Sequence, residues 1–352
     1  MRSSKSAPIS NLESRISMLS NDPGVLAAQD RDKAIRVPRP LRVEGDGRRA
    51  PILIGTASWT DPTLTAPGVF YPADARTPET RLRHYASLYS MVEVDSTYYA
   101  LPARRTAELW VDRTPNEFVF DIKAHALMTT HPSEPSRLPA DIKAKLPPSL
   151  AKSKRVYPKD LPSEIRDDVW RAFVDALEPL RVTGKLGAVF LQYPRWFVPG
   201  RQAREELTAA RERLGDLPVA VEFRHRMWLD AEIVSRTMQL LEKLDMSYVV
   251  VDEPQGLTSS VPPMVAVTSP RLAVFRMHGH RAELWEKQGV PVVERFRYLY
   301  DRTELKPWVP RIIDTAERVD RLHVVFNNCY ANYGVTNADE IGEMLIEAER
   351  DA

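Results

Sequence analysis

The chain has 352 residues, of which 43% are apolar and 28% are charged, and 49 basic and 48 acidic residues leave a net charge of +1. This length allows one large domain or two smaller ones, and the balanced charge gives no general attraction for nucleic acids or anionic membranes. The single cysteine excludes an internal disulfide and a thiolate zinc cluster, which favours a reducing, cytoplasmic location. No apolar run approaches the roughly 18 residues of a membrane helix, so we expect no membrane span.

Residues 1–48 are rich in Ser, Arg, Pro and Asp and contain few aliphatic residues. Such a segment buries too little apolar surface to offset the entropy lost on ordering. We therefore predict a mostly disordered arm over 1–48 and a single barrel domain over 49–352. Within the arm, Ser10-Asn11-Leu12-Glu13 has the spacing of a capping box and indicates one short helix.

From residue 51 onward, short apolar runs alternate with amphipathic stretches, which is typical of strand–helix units around a parallel sheet. Eight such runs and the helices between them predict an α/β fold, a TIM-like (β/α)₈ barrel. The predicted strands are Ile52–Ala57, Met91–Asp95, Phe118–Ala124, Ala188–Tyr193, Val219–Phe223, Ser247–Asp252, Leu272–His278 and Leu322–Asn328. The predicted helices are Pro78–Tyr89, Arg104–Arg113, Ser163–Leu180, Arg201–Leu214, Ala231–Leu244, Pro307–Val319 and Asn337–Ala348.

The repeat is irregular in two places. Residues 132–162 are rich in proline and basic residues, which predicts a long loop after the third strand and a candidate lid. Residues 255–271 contain prolines and show no helical period, so the unit between the sixth and seventh strands is predicted to lack its helix.

Charged residues interrupt several of the apolar runs at alternate positions. Because side chains alternate across a strand and the apolar ones must face the helices, the charged ones face the barrel interior. Most lie late in their strands, near the C-terminal mouth where barrels of this type build active sites. The residues predicted to point inward are Glu93, Asp95, Asp121, Lys123, Gln192, Glu222, Arg224, Asp252, Arg276, His278, His323 and Asn327. His323 begins its strand and is expected at the opposite end, in the core.

This constellation suggests acid–base chemistry on an anion. Glu93 or Glu222 is the candidate general acid or base, and His278 is the candidate partner in proton transfer. The predicted substrate-binding residues are Asp95, Lys123, Gln192, Arg224, His225, Asp252, Arg276, Asn327, Trp59 and Tyr98. A purely structural ion network is the alternative. His125 and His280 are expected on surface loops.

A divalent metal is a second alternative for the same residues. The sequence lacks the HExxH metal motif, the phosphate-binding loop and GxSxG, so we predict no cofactor. Cations repel a metal and attract an anion, and Lys123, Arg224 and Arg276 therefore disfavour a metal in favour of a phosphate or carboxylate. The potential oxygen and imidazole ligands are Glu93, Asp95, Glu222, Asp252 and His278.

The same runs resemble the YecE-like family, also called domain of unknown function 72, over about residues 51–345. The resemblance lies in Ile54-Gly55-Thr56-Ala57-Ser58-Trp59, Val92-Glu93-Val94-Asp95-Ser96-Thr97-Tyr98-Tyr99, Lys123-Ala124 with His131, Leu191-Gln192-Tyr193-Pro194, Val221-Glu222-Phe223-Arg224-His225 with Trp228, Asp252-Glu253-Pro254, Arg276-Met277-His278-Gly279 and Phe326-Asn327-Asn328 with Asn337-Ala338. It implies a TIM-like barrel without an established activity. The family pattern usually has Asn at Asp95, a small polar residue at Met227 and Asp at Cys329, so substrate preference here is expected to differ.

Three functions are compatible with the sequence. The first is an enzyme that hydrolyses, isomerises or cleaves a small phosphorylated or sugar-like molecule. The second is a metal-dependent barrel acting on nucleic acid, and the third is a sensor that binds a small molecule without turnover. The oligomeric state is left open. The second function draws its support from the basic arm and from Lys143, Lys145, Lys152, Lys154, Arg155 and Lys159.

Overall fold

The eight predicted strands form a closed parallel barrel in the computed structural model, which describes Ile16, residues 18–45 and residues 47–350. Each strand pairs with its successor, and the last pairs in parallel with the first of the eight, which confirms the TIM-like barrel. One further strand, of two residues, precedes these eight in the chain and pairs antiparallel with the first of them. The strands are β1 Arg42–Val43, β2 Ile52–Ala57, β3 Met91–Val94, β4 Val119–Lys123, β5 Leu186–Gln192, β6 Val219–Glu222, β7 Ser247–Asp252, β8 Ala273–Met277 and β9 Leu322–Phe326.

Helices surround the barrel, and all seven predicted helices are found close to their predicted bounds. A local signal explains the start of α2, which is capped by Thr77 in a capping box with Thr80 and begins at Pro78. The described helices are α1 Pro23–Ala34, α2 Pro78–Leu88, α3 Arg104–Asp112, α4 Ala140–Ala144, α5 Pro148–Ala151, α6 Ser163–Val182, α7 Arg201–Leu214, α8 Val234–Lys243, α9 Ala282–Trp285, α10 Val292–Arg295, α11 Arg302–Leu305, α12 Trp308–Ala316 and α13 Tyr333–Arg350. In the described part of the chain, no helix combines the length and apolar character needed to cross a membrane.

Two apolar layers enclose the polar residues of the barrel. Outward-facing side chains such as Val92 and Phe120 are buried against the helices in the main core. A separate small cluster that includes Leu53, Met91 and Val325 fills part of the interior. At the lower end His323 is buried, 2.9 Å from Asp121, as predicted for a core residue. The interior is thus packed below the mouth.

The two irregular units are found where the sequence predicts them. The segment between β4 and α6 contains only short helices, and a bridge between Ser133 and Val156 closes its proline-rich part. Its role as a lid stays a prediction. Residues 253–272, between β7 and β8, contain no helix. The barrel therefore loses one outer helix and gains one large loop at the mouth.

The structure departs from the predicted disordered arm in residues 18–45. Helix α1 packs against α13 with Val25 and Ala28 fully buried, and Arg31 pairs with Glu340. Charged residues of this segment find partners 300 or more residues away, so average composition underestimates its order. The possible helix at Ser10–Glu13 lies outside the described residues.

Candidate functional site

A cavity of about 830 Å³ opens at the C-terminal mouth of the barrel. Its walls come from the ends of six barrel strands and from loops at the same end of the barrel, including those after β7 and β8. The predicted substrate-binding residues that line it are Asp95, Tyr98, Lys123, Gln192, Arg224 and Asn327. The structure therefore brings these six side chains, taken from five different strand ends, around one volume.

Arg276 organises the floor beneath this cavity. Its Nε and Nη2 donate to the two carboxylate oxygens of Glu93 at 2.8 and 2.7 Å. Its Nη1 donates to Glu222 Oε2 at 2.8 Å and to Gln192 Oε1 at 3.0 Å. Arg276, Glu93 and Glu222 are all buried. Two of the predicted catalytic residues are thus sealed under the cavity by their own ion pairs.

Arg224 connects the floor to the cavity. Its Nη1 donates to Glu253 Oε2 at 2.8 Å, and its Nε forms a close ion pair, 2.5 Å long, with Glu222 Oε1. Its Nη2 lies 3.0 Å from His278 Nε2, while the amide of Asn327 lies 2.9 Å from His278 Nδ1. Both ring nitrogens of the buried His278 are therefore occupied, which makes it a group that positions Arg224.

Burial and the arginines set the charges of this floor. Burial opposes ionisation of Glu222, but Arg224 and Arg276 hold its pKa well below the usual range. Burial raises the pKa of Glu93 despite its pairing with Arg276. Burial and the charge of Arg224 lower the pKa of His278 to about 3, so its imidazole is neutral at physiological pH.

Lys123 and Asp95 form the ion pair that a ligand can reach. Lys123 Nζ donates to Asp95 Oδ1 at 2.7 Å, and their side chains are 12% and 33% exposed. Lys123 Nζ also lies 5.1 Å from the centre of the Tyr98 ring. Partial burial opposes the charge of Asp95, but Lys123 lowers its pKa, so this carboxylate is ionised at neutral pH. The accessible pair thus supplies a base and a cation side by side.

Besides Arg276, which lies in the floor, three predicted substrate-binding residues do not line the cavity. Trp59 is buried on the helix side, edge-on to Trp110 and Phe120. His225 Nδ1 accepts the backbone N–H of Met227 at the start of a turn. Asp252 Oδ2 lies 2.9 Å from His280 Nε2, and Asp252 is not among the residues that line the cavity.

The expectation that His125 lies on the surface is wrong. Its ring is buried and lies within hydrogen-bonding distance of Leu127 N and of Ser133 Oγ. The loop that follows β4 folds back over it, which the sequence around this residue does not reveal. His280, in contrast, is partly exposed.

The loops contribute cavity residues that the strand pattern does not identify. Arg195 and Trp196 follow β5, and Trp285 and Arg295 come from the short helices after β8. Arg195 and Trp196 lie next to the Leu191–Pro194 motif and could be inferred from it, whereas nothing in the sequence places residues 285–296 over the mouth. In all, five basic and three acidic side chains line the cavity.

The potential metal ligands are not grouped around one point. Within residues 18–45 and 47–350, no three His, Cys, Asp or Glu side chains form a cluster that could hold a metal ion. The carboxylates of Glu93 and Glu222 are instead oriented by arginine. The site is therefore arranged around cations of the protein itself, and the absence of a cofactor remains a prediction.

Comparisons with known proteins agree with this architecture. The chain is 27% identical over 297 residues to the UPF0759 protein YunF of Bacillus subtilis (strain 168), which covers 84% of this chain and 94% of YunF. A crystal structure of a DUF72 family protein from Thermotoga maritima MSB8 matches with a TM-score of 0.65 and 28% identity, over 84% of this chain and 99% of the other. One from Enterococcus faecalis V583 matches with a TM-score of 0.67 and 24% identity, over 84% and 95% of the two chains.

The family match covers the whole barrel and its site. A family model described as protein of unknown function DUF72 matches residues 53–352, which include the eight barrel strands except Ile52 at the start of β2, and every residue that lines the cavity. The chain belongs to the DUF72 family.

Proposed function

We propose that the protein is an enzyme that acts on a small anionic molecule by general acid–base chemistry at the mouth of the barrel. The observation that carries this proposal is the accessible Lys123–Asp95 pair on the cavity wall, in a cavity that Arg224 also lines. An ion pair that is partly open to solvent adds little stability, so its presence in a cavity favours a role in binding or catalysis.

The basic residues support an anionic substrate. Lys123 and Arg224 lie low in the cavity, while Arg195 and Arg295 come from the loops above. A phosphate or carboxylate between them would accept charge-assisted hydrogen bonds, which are the strong ones. Arg224 is held in place from below by Glu222, Glu253 and His278, so it is preorganised for such a ligand.

Asp95 is the proposed base. It is ionised and reachable, whereas Glu93 and Glu222, the carboxylates first expected to act, are buried and paired. Lys123 would stabilise the charge that develops on the substrate when Asp95 removes a proton. Isomerisation or elimination would use Asp95 on the substrate directly, and hydrolysis would use it to activate water.

The test begins with mass spectrometry of small molecules that copurify with the native protein, followed by binding and turnover assays on phosphorylated and carboxylated metabolites. Lys123→Met is expected to weaken binding about tenfold or more, since hydrogen bonds to charged groups contribute about 1.5–3 kcal/mol. Asp95→Asn is expected to retain binding and lose turnover.

Lys33 and Asp30 provide a matched control, because they form an ion pair of 2.9 Å that is 74% and 73% exposed. Lys33→Met and Asp30→Asn should change neither binding nor turnover. Binding without turnover in the wild type would identify a sensor, and equal effects of the two pairs of variants would refute the proposed site.

A further inference from the structure

A second cavity of about 660 Å³ adjoins the first, and Trp196 lines both. The second cavity lies between the loop after β5 and the proline-rich loop after β4, which contributes Tyr157 and Lys159. The start of α7 supplies Gln202 and Glu206. The function proposed for the first cavity makes no use of this space.

The Trp196 ring is held in place between the two cavities. The next residue, Phe197, stacks on Tyr193 at 3.9 Å and on Trp228 at 5.5 Å between ring centres. The carbonyl oxygen of Phe197 also accepts the indole N–H of Trp228 at 2.7 Å. Trp196 nevertheless stays 54% exposed. Because the neighbouring backbone is fixed, the Trp196 ring stays exposed to solvent, where it can contact a ligand.

A continuous row of rings joins Trp196 to the proposed anion site. Trp196 meets His131 edge-on at 5.6 Å, and His131 meets Tyr98 edge-on at 5.2 Å. The ring of Tyr98 in turn lies 5.1 Å from Lys123 Nζ. A ligand whose anionic group contacts Lys123 could therefore extend along these rings into the second cavity.

We infer that the second cavity binds a glycosyl ring, and that the substrate is a glycoside or oligosaccharide bearing a phosphate or carboxylate. This inference rests on the proposed function, since it places the anionic end at Lys123. A sugar ring presents C–H faces and hydroxyl edges together. Trp196 and Tyr157 offer flat faces, and the polar side chains beside them that can bond hydroxyls are Thr130, Lys159, Gln202 and Glu206. A purely apolar group would leave those polar side chains without partners.

Two tryptophans report on the two ends of this site, because Trp285 lines only the first cavity whereas Trp196 also lines the second. Trp196 lines the second cavity, and Trp285 lies over Arg224 in the first, 5.2 Å from its guanidinium carbon to the ring centre. The chain has seven tryptophans, so the ¹⁹F NMR spectrum of the full chain labelled with 5-fluorotryptophan is simple. Trp196→Phe and Trp285→Phe assign the two signals.

Inorganic phosphate should shift the signal of Trp285 more than that of Trp196, whereas a panel of neutral disaccharides should shift Trp196 more than Trp285. Disaccharide phosphates should bind about tenfold more tightly than monosaccharide phosphates, and Trp196→Ala should remove this difference, because an aromatic contact contributes about that factor. Val182→Ala, at an exposed position of α6, is the control and should leave the difference in affinity between the two kinds of phosphate unchanged.

The outcomes separate the two proposals. A Trp285 signal that responds to no anion, beside a Trp196 signal that responds to saccharides, would overturn the proposed anion site and support the glycosyl site. A Trp196 signal that responds to no saccharide would overturn the inference. So would a Trp196 signal that responds to nucleosides and to no saccharide, since the ring bound there would then be a base.

Discussion

Arg276 and Glu93 join opposite walls of the barrel through two parallel hydrogen bonds. Nε lies 2.8 Å from Oε2 and Nη2 lies 2.7 Å from Oε1, and the two residues belong to β8 and β3, which are not neighbours in the sheet. This fork leaves Nη1 free to hold Glu222, which in turn pairs with Arg224. The accessible arginine of the site is therefore placed by a buried one.

Arg276→Met should destabilise the protein by about 3–5 kcal/mol, because it leaves the buried Glu93 without its cation and the buried Glu222 with Arg224 alone. Urea unfolding at neutral pH measures the loss. Arg83→Met is the matched control: Arg83 pairs with Glu79 on the surface at 3.0 Å, and its loss should cost less than about 1 kcal/mol. Similar losses in the two variants would contradict the view that Arg276 organises the floor.

The stability of the protein should fall in acid through His125. Burial lowers the pKa of His125 from 6.5 to about 4, so between these values the unfolded chain binds a proton that the folded chain does not. The neutral ring therefore makes its full contribution to the free energy of unfolding above pH 6.5, and this contribution is lost as the pH falls toward 4.

Between pH 4 and pH 6.5, His125→Asn should lower the slope of the unfolding free energy against pH by about 1.4 kcal/mol per pH unit. Urea titrations at several pH values measure both slopes. His280 carries a raised pKa and serves as a comparison, since His280→Asn should change the slope in the opposite sense and only above pH 6.5. Parallel slopes in wild type and His125→Asn would show that the ring titrates normally.

Gly187 allows β5 to approach the Asp121–His323 pair in the lower barrel. A Cβ at this position would lie 2.3 Å from Asp121 Oδ1 and 2.9 Å from His323 Cε1. Gly187→Ala should therefore destabilise the protein by about 1–3 kcal/mol through overpacking. Gly200→Ala is the control, because a Cβ there meets no atom within 4 Å. Thermal unfolding of the two variants would distinguish a packing effect from a general effect of losing glycine.

Strand geometry is what made much of the site predictable. Alternation at period two placed Glu93, Lys123 and Arg224 inside the barrel, because the direction of a side chain in a strand depends only on local backbone. The same rule does not predict how deep in the barrel an inward-facing side chain lies. Glu93 and Lys123 both point inward, yet the first is sealed by Arg276 and the second reaches the cavity.

Alternation also fails once a strand has ended. Ser58 follows β2 with a φ of 119°, and this turn sends Trp59 to the helix side, where it packs on Trp110. The order of α1 could not be predicted for a different reason. It depends on pairs such as Arg31 with Glu340, which are 309 residues apart in the sequence.

Docking of α1 can be tested at two adjacent positions. Val25 is fully buried against the barrel, whereas Leu26 is 44% exposed. Val25→Asp places a charge in the interface and should abolish the hydrogen-exchange protection of residues 23–34 while the barrel stays folded. Leu26→Asp has the same chemistry and should preserve that protection. Equal protection in both variants would mean that α1 does not depend on this contact.

Cys329 offers a direct probe of the cavity, because it lines the cavity and is the only cysteine of the chain. Burial raises the pKa of its thiol well above the usual range, and the neighbouring acids Asp61 and Asp95 raise it further. Its thiol also donates to the carbonyl oxygen of Ala57 at 3.3 Å. Only the thiolate reacts with iodoacetamide, so alkylation at pH 8 should be much slower than in the urea-unfolded chain.

Mass spectrometry follows this reaction, and Cys329→Ser should show no mass increase. Asp61→Asn should accelerate alkylation about threefold, which corresponds to about half a pKa unit from removing one nearby negative charge. Asp30→Asn, far from the cavity, should leave the rate unchanged. A phosphorylated ligand bound at Lys123 should slow alkylation by covering the thiol and by adding negative charge. Rapid alkylation of the folded protein, unaffected by Asp61→Asn, would contradict the burial and the charge pattern assigned to this wall.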